Sequence, residues 1–104
     1  MAKTALLAKL TAAEGKRDEL IAVIADLGIR NVSGEPGTEI YAAHKDAKDE
    51  NVIWFYELYT DGDALAAHGG SDAMKEFGKA TGPLMAGRAE LTFMEPVAAK
   101  GFDL

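Results

Sequence analysis

Residues Ala5 to Leu10 form a short apolar run with one charge, at Lys9, and read as a β-strand. The polar break Thr11–Gly15 follows, and the spacing then changes. Leu20, Ile21, Val23, Ile24 and Leu27 fall on one stripe, while Lys16, Arg17, Glu19 and Asp26 lie mostly outside it. This predicts a helix over Lys16–Leu27, with Gly28 as its stop. Asn31–Gly37 (NVSGEPG) reads as a loop, because glycine and proline interrupt regular structure. Thr38–Lys45 alternates, with the β-formers Ile40 and Tyr41, and the charged stretch Asp46–Asn51 reads as a hairpin connection.

Val52–Thr60 (VIWFYELYT) is the most strand-like segment. Val52, Trp54, Tyr56 and Leu58 share one face, and Ile53, Phe55 and Tyr59 share the other. A strand apolar on both sides is usually central and covered twice. Asp61 and Asp63 are good helix-start residues for a short helix over Ala64–His68. Gly69-Gly70 should then kink or break it, with Ser71 capping a second piece that carries Met74 and Phe77. Thr81-Gly82-Pro83 interrupts again, and Ala89–Val97 alternates as a last strand with Leu91, Phe93 and Val97 on one face. Ala98–Leu104 reads as an extension or partner arm.

The order strand, helix, strand, strand, helix, strand predicts an α+β fold of the ferredoxin-like βαββαβ kind with a four-stranded antiparallel sheet. Right-handed crossovers place both helices on one sheet face and leave the other bare. The two-sided apolar strand then calls for a symmetric copy against that bare face. A homodimer with its two sheets face to face is therefore expected.

With 104 residues and 48% apolar content, the chain is read as one domain, residues 1–104. The net charge of −6, without a basic cluster, makes nucleic acid an unfavourable partner. There is no cysteine, hence no disulfide and no thiolate ligand or nucleophile. The N-terminal apolar run is too short for a signal peptide, and no run approaches a membrane span. A soluble, unprocessed, cytoplasmic protein is the expectation, with no membrane partner.

Several features occur in one order. Gly15-Lys16 opens the first helix, Glu35-Pro36-Gly37-Thr38 precedes the second strand, and Tyr41 follows. Then come Phe55-Tyr56-Glu57-Leu58-Tyr59-Thr60-Asp61, Ala64, Ala67-His68 and Ser71. Over about residues 5 to 97, this set resembles the antibiotic biosynthesis monooxygenase (ABM) family. The resemblance implies a homodimeric α+β barrel with an apolar pocket between the helices and the sheet of each monomer, residues 98–104 forming a tail. It also implies cofactor-independent oxygenation or quinol oxidation, alongside haem-degrading and isomerase branches. The asparagine of the haem branch falls at about Ala8 and that of the polyketide branch near Ala64. The tryptophan of both falls at His68, and the axial histidine of the haem branch near Phe77 or Gly78. Since none is kept, haem degradation is disfavoured and the polyketide-type mechanism loses its known residues; with no cysteine and no histidine at the haem-ligand position, no haem, flavin or metal cofactor is expected.

His68 is the leading catalytic candidate. An imidazole exchanges protons near neutral pH, as deprotonating a phenol or enol requires. Its alternative is to cap the broken helix or bond a backbone carbonyl. Glu57 interrupts an apolar strand and must find a donor or face a polar pocket; an ion pair with Arg88 or a lysine is the competing reading. Tyr41, Tyr59, Phe77, Met74 and Met85 either line a ligand cavity or simply fill the core. His44 reads as a solvated strand end. No metal-ligand spacing and no phosphate loop is present. Two classes of function follow. One is an enzyme acting on a small aromatic or quinol-like molecule, by oxygenation or by isomerisation. The other is a non-catalytic or regulatory ligand-binding dimer.

Overall fold

The computed structural model describes residues 2–104. Strand β1 (Thr4–Thr11) leads into helix α1 (Arg17–Val23), a π-helical turn (Ile24–Gly28) and helix α2 (Ile29–Ser33). Strands β2 (Thr38–Lys45) and β3 (Val52–Tyr59) form a hairpin, followed by helices α3 (Gly62–Gly69) and α4 (Asp72–Thr81), a 3₁₀ turn (Gly82–Leu84) and β4 (Glu90–Met94). The four strands pair antiparallel in the order β2-β3-β1-β4. This is the ferredoxin-like α+β arrangement the hydrophobic pattern predicts.

The long central strands β1 and β3 pair along their whole length, from Thr4 opposite Tyr59 to Thr11 opposite Val52. One face of this pair carries Ala8, Leu10, Ile53 and Phe55, which pack with Leu20, Ile24 and Phe77 from the helices into the main core. Asp46 shapes the β2–β3 turn by accepting from the backbone N–H groups of Lys48 and Asp49 at 2.9 and 2.8 Å. Its other oxygen accepts from the Trp54 indole at 2.8 Å. These donors hold the Asp46 carboxyl down at about 2, the backbone N–H of Asp49 contributing most.

The first helical region departs from its expected end. Gly28 does not stop the helix: it has ordinary helical angles, and the chain winds on through the π turn to Ser33. The reason is packing. A Cβ built on Gly28 would lie 3.0 Å from Cε1 of Phe77, so the missing side chain admits that ring against the helix. The loop is correspondingly shorter than Asn31–Gly37. Asn31 is helical, and its Nδ2 donates to the Ala73 carbonyl at 3.2 Å, joining α2 to α4.

The second helical region follows its predicted caps. The Asp61 side chain accepts from Ala64 N at 2.9 Å and starts α3. Ser71 Oγ accepts from Met74 N at 3.1 Å and donates to the His68 carbonyl at 2.8 Å, so one residue closes α3 and opens α4. Beyond α4, Ala13 N donates to Leu84 O and Ala86 N to Thr11 O, both at 2.8 Å. This fixes Met85 in an isolated bridge with Ala12. Strand β4 is shorter than Ala89–Val97, and no helix covers its apolar side chains: Leu91 and Phe93 remain 52% and 61% exposed. Among the described residues no helix is long and apolar enough to cross a membrane.

Candidate active site

Between the helices and the sheet lies a cavity of about 460 Å³, within the usual range for small-molecule sites. Its wall is almost wholly apolar, from Leu6 and Leu10 on β1 and Phe55 on β3 to Leu65, Met74 and Phe77 on the helices, with Met85 beyond them. Four polar side chains line it: His68, Glu57 and Tyr41 together, and Thr81, whose hydroxyl is spent on the Phe77 carbonyl at 2.9 Å.

Strand periodicity delivers Glu57. It lies two residues beyond Phe55, on the helix-facing side of β3, with Leu6 and Tyr41 as its cross-strand neighbours. Only 5% of it is exposed. The hydroxyl of Tyr59 donates to Glu57 Oε1. Among the described residues no ion pair with Arg88 or a lysine forms; the nearest titratable partner is instead His68, whose Nε2 lies 4.0 Å from Glu57 Oε1. Burial raises the Glu57 carboxyl above its ordinary range, outweighing the Tyr59 hydrogen bond and the pull of His68. Burial likewise raises the phenols of Tyr41 and Tyr59, and nearby Glu57 adds to both, so they stay protonated as donors.

His68 lies in the last turn of α3, above Tyr41 and Tyr59, with ring centroids 5.7 and 5.4 Å away. It is a buried histidine whose Nδ1 is 2.8 Å from Glu35 Oε1. A carboxylate accepts, so Nδ1–H donates there; in the neutral imidazole this leaves the Nε2 lone pair toward Glu57. At 4.0 Å that last separation exceeds a hydrogen bond.

Glu35 is the site residue that the reading of candidates omitted, although it stands in the Glu35-Pro36-Gly37-Thr38 stretch. The loop holds it firmly. Glu35 Oε1 also accepts from Thr38 Oγ1 at 2.7 Å, and Thr60 N donates to Gly37 O at 2.9 Å. Gly37 is required by contact, since a Cβ there would fall 2.5 Å from Cβ of Ala64 on α3. That approach brings the loop against α3 and Glu35 onto the imidazole.

The sequence candidates therefore separate by position. His68, Glu57, Tyr41, Phe77, Met74 and Met85 meet at the cavity. Tyr59 does not line it; fully buried, it stands behind Glu57 as a donor. His44 is exposed on β2, and no group of three side chains suited to a metal occurs among the described residues.

Comparison with known proteins places this geometry. The family model for antibiotic biosynthesis monooxygenase matches residues 4–80, which span β1 to nearly the end of α4. The chain belongs to the antibiotic biosynthesis monooxygenase family. A provisionally assigned antibiotic biosynthesis monooxygenase from Caulobacter crescentus is 33% identical, with a TM-score of 0.87 over 93% of this chain and 92% of that one. Another from Chloroflexus aurantiacus is 27% identical, with a TM-score of 0.81 over 96% and 98%. A Mycobacterium tuberculosis protein shares the fold at 22% identity, with a TM-score of 0.82 over 94% and 98%. No protein of curated function matches. Family and neighbours together support a monooxygenase-like role, which leaves the substrate open.

Proposed function

We propose that this ABM-family chain is a cofactor-independent monooxygenase, or a quinol-oxidase-like enzyme, acting on a small aromatic or quinol-like substrate. The observation that carries the reading is the imidazole at the polar end of an apolar cavity. Its Nδ1 is engaged by Glu35 and its Nε2 makes no direct hydrogen bond among the described residues. A flat apolar ring fits such a wall, and its hydroxyl would be directed to the end that carries His68, Glu57 and Tyr41.

In this mechanism His68 Nε2 takes the proton of the substrate hydroxyl, and the resulting phenolate or enolate supplies electrons to dioxygen. Tyr41, and Glu57 where burial keeps it protonated, donate hydrogen bonds to the developing anion. Where the apolar wall keeps water from the bound ring, these interactions are strengthened. Replacing His68 by alanine should lower oxygen consumption on quinol or polyphenol probes by roughly 10²–10⁴-fold. A folded variant that turns over at the wild-type rate contradicts the assignment.

The same pair also favours a second reading. A base and a carboxyl held toward its protonated form, 4.0 Å apart, suit an isomerase that moves a proton between two substrate atoms. Turnover that proceeds at full rate without oxygen would select it. Binding of such molecules without any turnover would select the non-catalytic ligand-binding role.

We further propose a homodimer through the helix-free face of the sheet. Leu7, Trp54 and Tyr56 lie there, each partly exposed although they stand on the two central strands. A second copy would cover them.

A further inference from the structure

On the side of His68 away from the cavity lies a second space of about 460 Å³, an open cleft between the Gly34–Thr38 loop and α3. Glu35, Thr38, Asp63 and Ser71 line the cleft and do not line the cavity. Glu57 and Tyr41 line the cavity and do not line the cleft. Among the described residues, His68 alone lines both. Its two ring nitrogens are divided accordingly, Nε2 toward Glu57 and Nδ1 against Glu35.

We infer that Glu35 is a proton relay, carrying protons between His68 and the open cleft so that they enter and leave the site without crossing the apolar cavity. This rests on the reading of His68 as the base. The exit step balances without electron transfer. The substrate O–H bond breaks as Nε2–H forms; Nδ1–H breaks as an O–H bond forms on Glu35 Oε1; water in the cleft then takes that proton. Running in reverse, Glu35 returns a proton to Nδ1 as Nε2 gives its own to a product oxygen.

Three observations support the direction of the path. The contact of 2.8 Å is short enough for transfer within one hydrogen bond. The Glu35 side chain is 22% exposed against 9% for His68, so solvent meets the carboxylate first. The charged and titratable groups on the cavity side offer no such exit. Glu57 is buried and held toward its protonated form, Tyr41 and Tyr59 are held protonated, and the walls beyond them are apolar. Across the cleft from Glu35 stands Asp63, and beside it the Thr38 hydroxyl.

Glu35→Gln is the sharpest variant, because the amide oxygen still accepts from Nδ1–H but takes no proton. The probe is 4-nitrophenol, whose ionisation is followed by absorbance after mixing at a pH below its own pKa. The wild type should bind and ionise it. Glu35→Gln should bind with an unchanged Kd and ionise it roughly tenfold more slowly or worse, while Glu35→Asp should keep most of the rate. Glu35→Ala should also be slow, and formate, admitted through the cleft, should restore it at constant ionic strength without restoring His68→Ala. Should Glu35→Ala not fold, Glu35→Gln and Glu35→Asp decide alone. A wild-type rate in Glu35→Gln, or a folded Glu35→Ala indifferent to formate, overturns the relay. A slow His68→Ala beside a fast Glu35→Gln removes the relay and leaves the base. A fast His68→Ala, or a wild type that does not bind or ionise the phenol, removes both.

Discussion

Glu57 sets the pH behaviour of the site, because burial raises its carboxyl above the ordinary 4.5. The sign follows from proton linkage. A carboxyl with a higher pKa folded than unfolded binds more protons in the native state. Its contribution to stability is full below the unfolded value and is lost as pH rises through the folded one. Asp46, held down at about 2, works in the opposite sense, contributing stability that is lost as pH falls toward that value. Urea midpoints of the wild type and of Glu57→Gln, measured from pH 4 to pH 8, separate the two. The wild type should lose stability relative to the glutamine variant as pH rises above about 4.5; parallel profiles would mean that Glu57 is not raised. Glu57 and His68 were legible as candidates because a carboxylate inside VIWFYELYT and a lone histidine before two glycines stand out from their surroundings. Glu35 was not, since its partner lies 33 residues away and no local pattern marks an acid in a Gly-Pro loop as half of a part-buried pair.

At the scale of elements, capping and close approach govern the geometry around His68. Removing the Asp61 cap by alanine should cost about 0.5–2 kcal/mol, as for other N-caps, and thermal unfolding will show it. Gly37→Ala should cost about 1–3 kcal/mol, because the new methyl meets Ala64 and overpacks the contact. It should also slow turnover by moving Glu35 away from His68. The double variant Gly37→Ala/Ala64→Gly should recover most of both losses, and a failure to recover would mean that the loop is held otherwise. Strand and cap positions were readable because they rest on local chemistry: alternation in Val52–Thr60, Asp61 and Ser71 at helix starts. The end of the first helix was misread because Gly28 is there for Phe77, a partner 49 residues later in the chain, and local glycine statistics cannot distinguish a stop from a packing site.

At the scale of the whole molecule, the sheet divides the labour. Its helix-facing side builds the cavity, and its other side is the one proposed to meet a second copy. Sedimentation at micromolar concentration should give a dimer burying on the order of 2,000 Å² or more; monomer alone would contradict the face-to-face arrangement. The topology was legible because alternation and helical spacing specify which face each residue takes. Charge and composition narrowed the partners without naming a substrate, because an apolar wall with one polar end accepts many ring systems. The most direct test of the account is a crystal structure of the protein with 4-nitrophenol bound. The account predicts the ring in the cavity between Phe55, Met74 and Phe77, its oxygen within about 2.6–3.2 Å of His68 Nε2. A ring seated elsewhere, or one whose oxygen points away from His68, would contradict it.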